Sequence, residues 1–327
     1  MFLQVDRKFR HSLVLIGLGL AAALVLVASV TIGSVTIGWD ALWTGLVTRD
    51  SLAGALIYEL RLPRALTAFA AGGVLALAGV LMQVLLRNPL ADPFVMGVSG
   101  GAAVGALTGI LIGLSGIAVD AAAMTGALAS TLLVFSLTRD REQWGSQRLL
   151  LTGVVVASGA GAIVSMLLAI GEESRLRGML FWLMGDLSLS TSPLRLLVTL
   201  GVALLVVLPF ARDLNVLAHG DVHAQVLGIP VRRLRVGIFV ASSMLTGAAV
   251  ATAGTIGFVG LLTPHLVRLI LGADHRRVLP AAALLGGTLV MLADLIARSA
   301  FAPRQLPVGA VTAVVGVPLF LALMRRR

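Results

Sequence analysis

The sequence predicts an all-α polytopic membrane protein of about ten transmembrane helices, with both termini in the cytoplasm and a single domain over residues 1–327. Three observations lead to this prediction. Hydrophobic residues make up 58% of the chain and charged residues 12%, whereas charged residues average about 25% in soluble domains. Mean hydropathy is +1.01. Apolar runs of about 20 residues, the length that crosses a bilayer, alternate with short polar connections.

The elements follow in order from a basic N-terminal flank. The first span begins at Ser12 and ends near Ile37, and a mixed segment from Trp39 to Leu62 suits the outer interface. Pro63 opens the second span, because proline is favourable in the first helical turn. We place the ten spans at residues 12–37, 63–86, 94–114, 119–137, 149–170, 194–210, 236–254, 258–271, 278–297 and 306–324. Pro264 is expected to break the eighth.

Basic residues set the orientation of these spans. With ten crossings, 17 of the 25 Lys and Arg residues fall on the side of the two termini, and such a bias marks the cytoplasmic side. The net charge of +10 therefore reflects topology and does not indicate nucleic acid binding. The chain has no cysteine, which excludes disulfides and thiolate metal sites.

The third span carries a glycine at every fourth residue: Gly97, Gly101, Gly105, Gly109 and Gly113. This spacing places them on one narrow helical face, where a neighbouring helix can approach closely. We interpret this face as packing and not as chemistry.

The longest polar interval comprises residues 211–235, between spans six and seven. Asp213 is predicted to cap one short helix that ends at Gly220, and Asp221 to cap a second that ends at Gly228. Two short helices would form a compact cytoplasmic knob whose shape is held by backbone hydrogen bonds.

Residue types in the chain weigh against several activities. A phosphate-binding Walker A loop requires a lysine, and the only lysine, Lys8, has no glycine-rich loop around it. Asp294 is the one acid clearly within a predicted span, whereas ion-coupled transporters usually need a buried ionisable relay. We expect Asp294 to pair inside the bundle. His219 and His223 are spaced as metal ligands but lack a third partner, so surface histidines are the favoured interpretation.

Four arginines lie at the predicted outer ends of spans: Arg61, Arg64, Arg298 and Arg304. Their aliphatic stems could lie in the membrane while the guanidinium groups reach the lipid headgroups. Alternatively, they could form a ring that accepts carboxylates of an external partner.

Several long blocks of the sequence resemble the FecCD family, the permease subunits of type II ABC importers for siderophores, haem and cobalamin. The blocks are RLPRALTAF (61–69), the glycine-rich run 79–105, DLNVLAHGDVHAQVLGI (213–229), GTIGFVGLLTPHLVRLILGADHRRVLP (254–280), ADLIAR (293–298) and LPVGAVTAVVGVPLF (306–320). The resemblance implies a homodimer in the bacterial inner membrane, two cytoplasmic ATPase subunits and a periplasmic binding protein.

The resemblance also implies roles for individual residues. Coupling to the ATPase is assigned to residues 211–235, which we call the coupling segment. The residues assigned within it are Asp213, Leu214, Asn215, Leu217, Gly220, Ala224, Leu227 and Gly228. Docking of the binding protein is assigned to Arg61, Arg64 and Arg298, with Arg304 added as a chemically equivalent neighbour. A cytoplasmic gate is expected at Ser146 and Gln147. Met179, Phe181, Trp182 and Met184 are expected to line the substrate path, or else to anchor an interfacial helix.

The implied function is an ATP-driven importer subunit that moves a bulky iron-siderophore or haem to the cytoplasm by alternating access, with no cofactor and no enzymatic activity of its own. A cobalamin importer of the same family is the alternative. An ion-coupled secondary transporter and a membrane-embedded enzyme are the alternatives from other classes.

Overall fold

The computed structural model describes residues 2–33, 38–49, 51–138, 146–188 and 192–325, and these ranges contain helices and no strand. The helices are α1 (Phe2–Thr31), α2 (Trp39–Val47), α3 (Leu52–Ala55), α4 (Leu62–Leu86), α5 (Val98–Leu111), α6 (Ile117–Thr138), α7 (Ser146–Ile170), α8 (Glu173–Leu183), α9 (Leu194–Val207), α10 (Ala211–Ala218), α11 (Asp221–Val226), α12 (Val231–Ala253), α13 (Val259–Leu271), α14 (His275–Ser299) and α15 (Val308–Arg325). The predicted end of span one, residues 34–37, lies outside the described residues.

The helices confirm the predicted fold class. Within the described ranges, eight are long and apolar enough to cross a membrane, and the remaining two predicted spans are present as the shorter apolar helices α5 and α13. The expected break at Pro264 is wrong, because α13 continues through it. Proline cannot donate to the carbonyl four residues earlier, which belongs to Gly260. That carbonyl instead accepts from Gln83 Nε2 at 3.4 Å, so the helix leaves no polar group unpaired there.

Helix α4 forms the centre of the bundle. In its most apolar stretch of 18 residues, 94% of the residues are buried. The corresponding fractions are 6% in α1, 11% in α7 and 22% in α15. Helices α9, α12, α13 and α14 pack around α4. One subunit therefore has a complete core, while α1, α7 and α15 keep apolar faces that need lipid or another chain.

The middle of the predicted glycine face of the third span packs closely against α6, but the first and last of its five glycines lie outside the helix. A Cβ added at Gly105 would lie 2.1 Å from the Ala122 carbonyl oxygen, and one at Gly101 would lie 2.4 Å from the Gly126 oxygen. Only glycine permits this distance between α5 and α6. Gly97 and Gly113 lie just outside α5 and have positive φ values of 74° and 89°, so they turn the chain at its two ends.

Candidate functional site

The coupling segment forms two short helices, α10 and α11, as predicted, but their caps differ from the prediction. Helix α10 begins at Ala211, with Asp213 inside its first turn. Helix α11 begins at Asp221, and Gly220 is its N-cap residue, with φ 125° and ψ 156°. The capping roles expected for the two aspartates are therefore wrong, because each side chain lies one or more positions inside its helix. The turn at Gly220 separates His219 from His223, so the two histidines do not share one helical face.

One face of this segment is anchored in the bundle. Leu214, Leu217 and Ala224, assigned to coupling by resemblance, are at most 1% exposed, so they hold the helices in place and do not present a surface. Asn215 fastens α10 to the start of α14. Its Nδ2 donates to Asp274 Oδ1 at 2.8 Å, and its Oδ1 accepts from the His275 backbone N–H at 2.8 Å.

Helix α11 is tied to two spanning helices through Asp221. The Arg235 guanidinium donates to Asp221 Oδ2 at 3.2 Å and to the Leu85 carbonyl of α4 at 3.2 Å. Arg87, which follows α4, lies 3.7 Å from the same carboxylate oxygen. Because α11 is fixed to both α12 and α4, a displacement of α11 would be transmitted to the centre of the bundle.

The opposite face of the coupling segment is apolar and open. Val222, Val226 and Leu227 are 75%, 82% and 63% exposed, and we call these three residues the apolar patch. Of the three, the sequence prediction included only Leu227, with Gly228 exposed beside it. An apolar patch on a surface expected to face water commonly marks a protein contact. Its signal in the sequence was the i, i+4 spacing of two valines in an otherwise polar interval.

The outer arginines form a second cluster, and the structure places three of them inside the subunit. Arg61 is 7% exposed and donates to the Val30 and Thr31 carbonyls at 2.8 and 2.9 Å. Arg298 is 6% exposed and donates to the Ser29 carbonyl. Both guanidinium groups therefore bind the carbonyls that end α1, which its own helix leaves without partners.

Asp294 lies at the centre of this cluster. It is 1% exposed and contacts Arg64 Nη2 at 2.8 Å and Arg298 Nε at 3.6 Å. Arg64 also donates to Gln305 Oε1 at 3.0 Å. The expectation that Asp294 pairs inside the bundle is confirmed. Arg304 alone of the four predicted docking arginines is exposed, so docking on Arg61, Arg64 and Arg298 stays a prediction.

Charge reversal at Arg304 is expected to weaken docking of a binding protein at least fivefold at low salt, with a smaller effect at high salt because exposed charges are screened. Arg304→Glu can be compared with Arg49→Glu by surface plasmon resonance. Arg49 is exposed in the outer segment and lies over the Tyr58 ring at 4.7 Å. Equal affinities for the two variants would contradict a specific role of Arg304.

The predicted path residues lie on or just after α8, and their side chains differ in exposure and in neighbours. Met179 is fully buried at 0% exposure in the subunit, and its assignment to the path stays a prediction. Met184 is 39% exposed, and Phe181 is half-buried beneath the Arg177 guanidinium, 5.6 Å from its ring centre. Trp182 lines a cavity together with Asp120 and Arg195. Phe181, Trp182 and Met184 are at least partly exposed and remain candidates.

Both ends of α8 are held by the surrounding helices. Arg175 Nη1 donates to the Ile110 and Leu111 carbonyls at the end of α5, at 2.9 and 2.6 Å. At the other end, the Val308 N–H donates to the Gly185 carbonyl at 3.0 Å. A Cβ added at Gly309 would lie 2.4 Å from the Met184 oxygen. The two residues that follow α8 are therefore in direct backbone contact with the start of α15.

The predicted gate lies at the start of α7. Gln147 is exposed in the first turn, whereas the side chain of Ser146 and residues 139–145 lie outside the described part of the chain. Farther along α7, Ser158, Gly159, Gly161 and Ser165 are exposed. Small and hydroxyl side chains on an exposed helical face fit a pore or a helix interface better than lipid.

Comparison with known proteins places this architecture among transporters. The chain is 38% identical over 311 residues to the hemin transport system permease protein HmuU of Yersinia pestis, with 91% of each protein covered. It is 40% identical over 325 residues to the vitamin B12 import system permease protein BtuC of Vibrio cholerae, covering 98% of this chain and 95% of that protein. A structure described as an inward-facing conformation of a metal-chelate type ABC transporter matches with a TM-score of 0.87 at 32% identity, covering 96% of this chain and 99% of the other.

The model of the FecCD transport family matches residues 20–326. This range contains the α10–α11 segment, the outer arginine cluster and the helices around α4, so the match covers nearly the whole architecture. The chain belongs to the FecCD transport family and is a multi-pass membrane permease subunit of a type II ABC importer.

Proposed function

We propose that this protein is the channel-forming subunit of an ATP-driven importer that moves a bulky iron chelate, an iron-siderophore or haem, from a periplasmic binding protein across the inner membrane. It acts as a homodimer with two ATPase subunits. The observation that carries the proposal is the apolar patch, which is exposed on a segment that hydrogen bonds fix to α4, α12 and α14. The relatives that transport hemin and the metal-chelate type transporter support the substrate class.

The mechanism is alternating access driven through the coupling segment. ATP binding closes the ATPase dimer, and this closure displaces α10 and α11. Asn215 and Asp221 transmit the displacement to the bundle, because they join these helices to α14 and α12. The exposed faces of α7 and α15 meet those of the second subunit and change their separation on one side of the membrane at a time. Phe181 and Met184 offer a polarizable apolar contact to a flat or hydrophobic chelate.

Uptake by proteoliposomes tests the function. The permease, reconstituted with its ATPase and supplied with its binding protein, is expected to accumulate a ferric siderophore or haem only when ATP is present. Accumulation on a proton or sodium gradient without ATPase would overturn the proposal. A cobalamin importer is the second candidate, favoured by the 40% identity to the vitamin B12 permease. A binding protein that retains cobalamin and neither iron ligand would select it.

Removing the apolar patch is expected to weaken ATPase binding more than tenfold. A fully buried aliphatic side chain contributes about 1.5–3 kcal/mol, and Val222, Val226 and Leu227 are all exposed before assembly. The triple serine variant should lose the ATPase in pull-down assays. Gln225→Ser, at an exposed polar position on the same helix, is the matched control and should retain it. Equal retention by both variants would exclude the patch as the docking surface.

A further inference from the structure

An apolar groove lies beside the coupling segment, between the region where α9 ends and the first half of α12. Its volume is about 280 Å³, and its lining is almost entirely hydrophobic. One wall is formed by Val206 at the end of α9 and by Phe210 in the turn that follows it. The other wall is α12 from Arg233 to Ala241, and Leu81 of α4 lies between the two. The proposed function does not use this groove.

The length and the apolar lining of the groove suit part of a lipid acyl chain. From Arg233 to Ala241 it follows nine residues of α12, and the eight steps between them span about 12 Å at a rise of 1.5 Å per residue. Val206 is 57% exposed and Phe210 is 49% exposed, so the groove opens sideways from the bundle. A groove that opens toward the acyl region of a bilayer is in contact with lipid and not with water.

The mouth of the groove carries charged residues at the predicted cytoplasmic ends of α9 and α12. Arg233 lines the mouth and is exposed, and its guanidinium group has no ion pair or hydrogen bond with any residue that the structure describes. Arg212 and Arg232 are exposed nearby. Asp213 also lines the mouth, where its carboxylate can accept a hydrogen bond from a headgroup hydroxyl. Basic residues at the cytoplasmic end of a gap between helices attract phospholipid headgroups.

We propose that this groove binds one phospholipid of the cytoplasmic leaflet in each subunit, with an acyl chain between α9 and α12 and the phosphate on Arg233. The lipid would lie against Leu214 of α10 and Ile229, which follows α11. The bound lipid would thus support the base of the coupling segment from the membrane side.

Two variants separate the headgroup contact from the groove itself. Arg233→Gln removes the phosphate partner, and Arg232→Gln makes the same charge change at a neighbour that does not line the groove. Gly237→Leu fills the groove, and a Cβ added at Gly237 has no heavy atom within 4 Å. Leucine is also a better helix former than glycine, so this variant is expected to fold.

Native mass spectrometry of the assembled transporter, released from nanodiscs of phosphatidylglycerol, measures the bound lipid. We expect one retained phosphatidylglycerol per subunit in the wild type and in Arg232→Gln, at least a threefold loss in Arg233→Gln, and almost none in Gly237→Leu. Equal retention in the two arginine variants, or unchanged retention in Gly237→Leu, would overturn the proposal. Absence of lipid from the wild type, with a crosslink from Gly237→Cys to the ATPase, would assign the groove to that partner instead and also overturn it.

Discussion

Replacing Gly220 with leucine is expected to lower substrate-stimulated ATP hydrolysis about tenfold or more while leaving the membrane bundle folded. Gly220 has φ 125° and ψ 156°, a conformation essentially reserved for glycine, and forcing a side chain into it costs about 1–3 kcal/mol. The cheapest relief is a rotation of α11 relative to α10, which moves the apolar patch away from its partner. A loss of 1.4 kcal/mol in the contact corresponds to a tenfold change. Hydrolysis by the reconstituted transporter, with and without loaded binding protein, measures the effect.

Gly116→Leu is the matched control for this strain. Gly116 also has a positive φ, 54°, and a Cβ added there meets nothing within 4 Å. It lies before α6 on the predicted outer side, far along the chain from the coupling segment. We expect this variant to lose similar stability and to keep stimulated hydrolysis. Normal stimulation in Gly220→Leu, or an equal loss in Gly116→Leu, would contradict a specific role of the turn in coupling.

Replacing Asp294 with alanine is expected to destabilise the subunit by about 3–5 kcal/mol, the range found when one partner of a buried ion pair is removed. Asp294 is 1% exposed and is the carboxylate shared by Arg64 and Arg298. Without it, two largely buried guanidinium groups face each other, and α1 loses the fixed Arg298 that binds its last turn. Thermal unfolding of the detergent-solubilised protein should show a clearly lowered midpoint.

The Asp120→Ala variant is the control for Asp294→Ala. It tests whether the expected destabilisation comes from the burial of the carboxylate or from the loss of any ion pair. Asp120 lies 3.5 Å from Arg195, but the two side chains are 25% and 50% exposed. Such a solvated pair contributes at most about 1 kcal/mol, so the midpoint should move little. If the two alanine variants unfolded at the same temperature, the outer arginines would not depend on Asp294, and their availability for docking would need to be reconsidered.

The glycines and the long apolar runs show how far the sequence alone could lead. The spacing of Gly101 and Gly105 predicted a close helix contact because a helical face follows directly from a period of 3.6 residues. The coupling segment was predicted because a polar interval between two spans must lie outside the hydrocarbon. Its caps were misplaced because several polar residues in a row offer equivalent capping positions, and helix ends shift by one or two residues.

The outer arginines show where sequence reasoning stopped. Arg298 is separated from Arg61 and Arg64 by more than 200 residues along the chain. Only the packing of α1, α4 and α14 shows that Arg64 and Arg298 share the Asp294 carboxylate and that Arg61 and Arg298 both bind the end of α1. A pattern can place an arginine near a membrane surface, but it cannot indicate whether the guanidinium faces water or a neighbouring helix end. The same limitation hid Val222 and Val226, whose exposure depends on which face of α11 meets Arg235 and α12.

The sequence by itself determined the class of protein, the number and order of the membrane helices, and the polar interval that we propose meets the ATPase, since each depends on local composition and on the length needed to cross a bilayer. The tertiary structure decided which side chains are available for contact. It turned Leu214, Leu217 and Met179 inward and the apolar patch outward, and it assigned three of the four outer arginines to internal partners. The physical reason is that burial and ion pairing are set by distances between helices far apart in the chain, which no local pattern encodes.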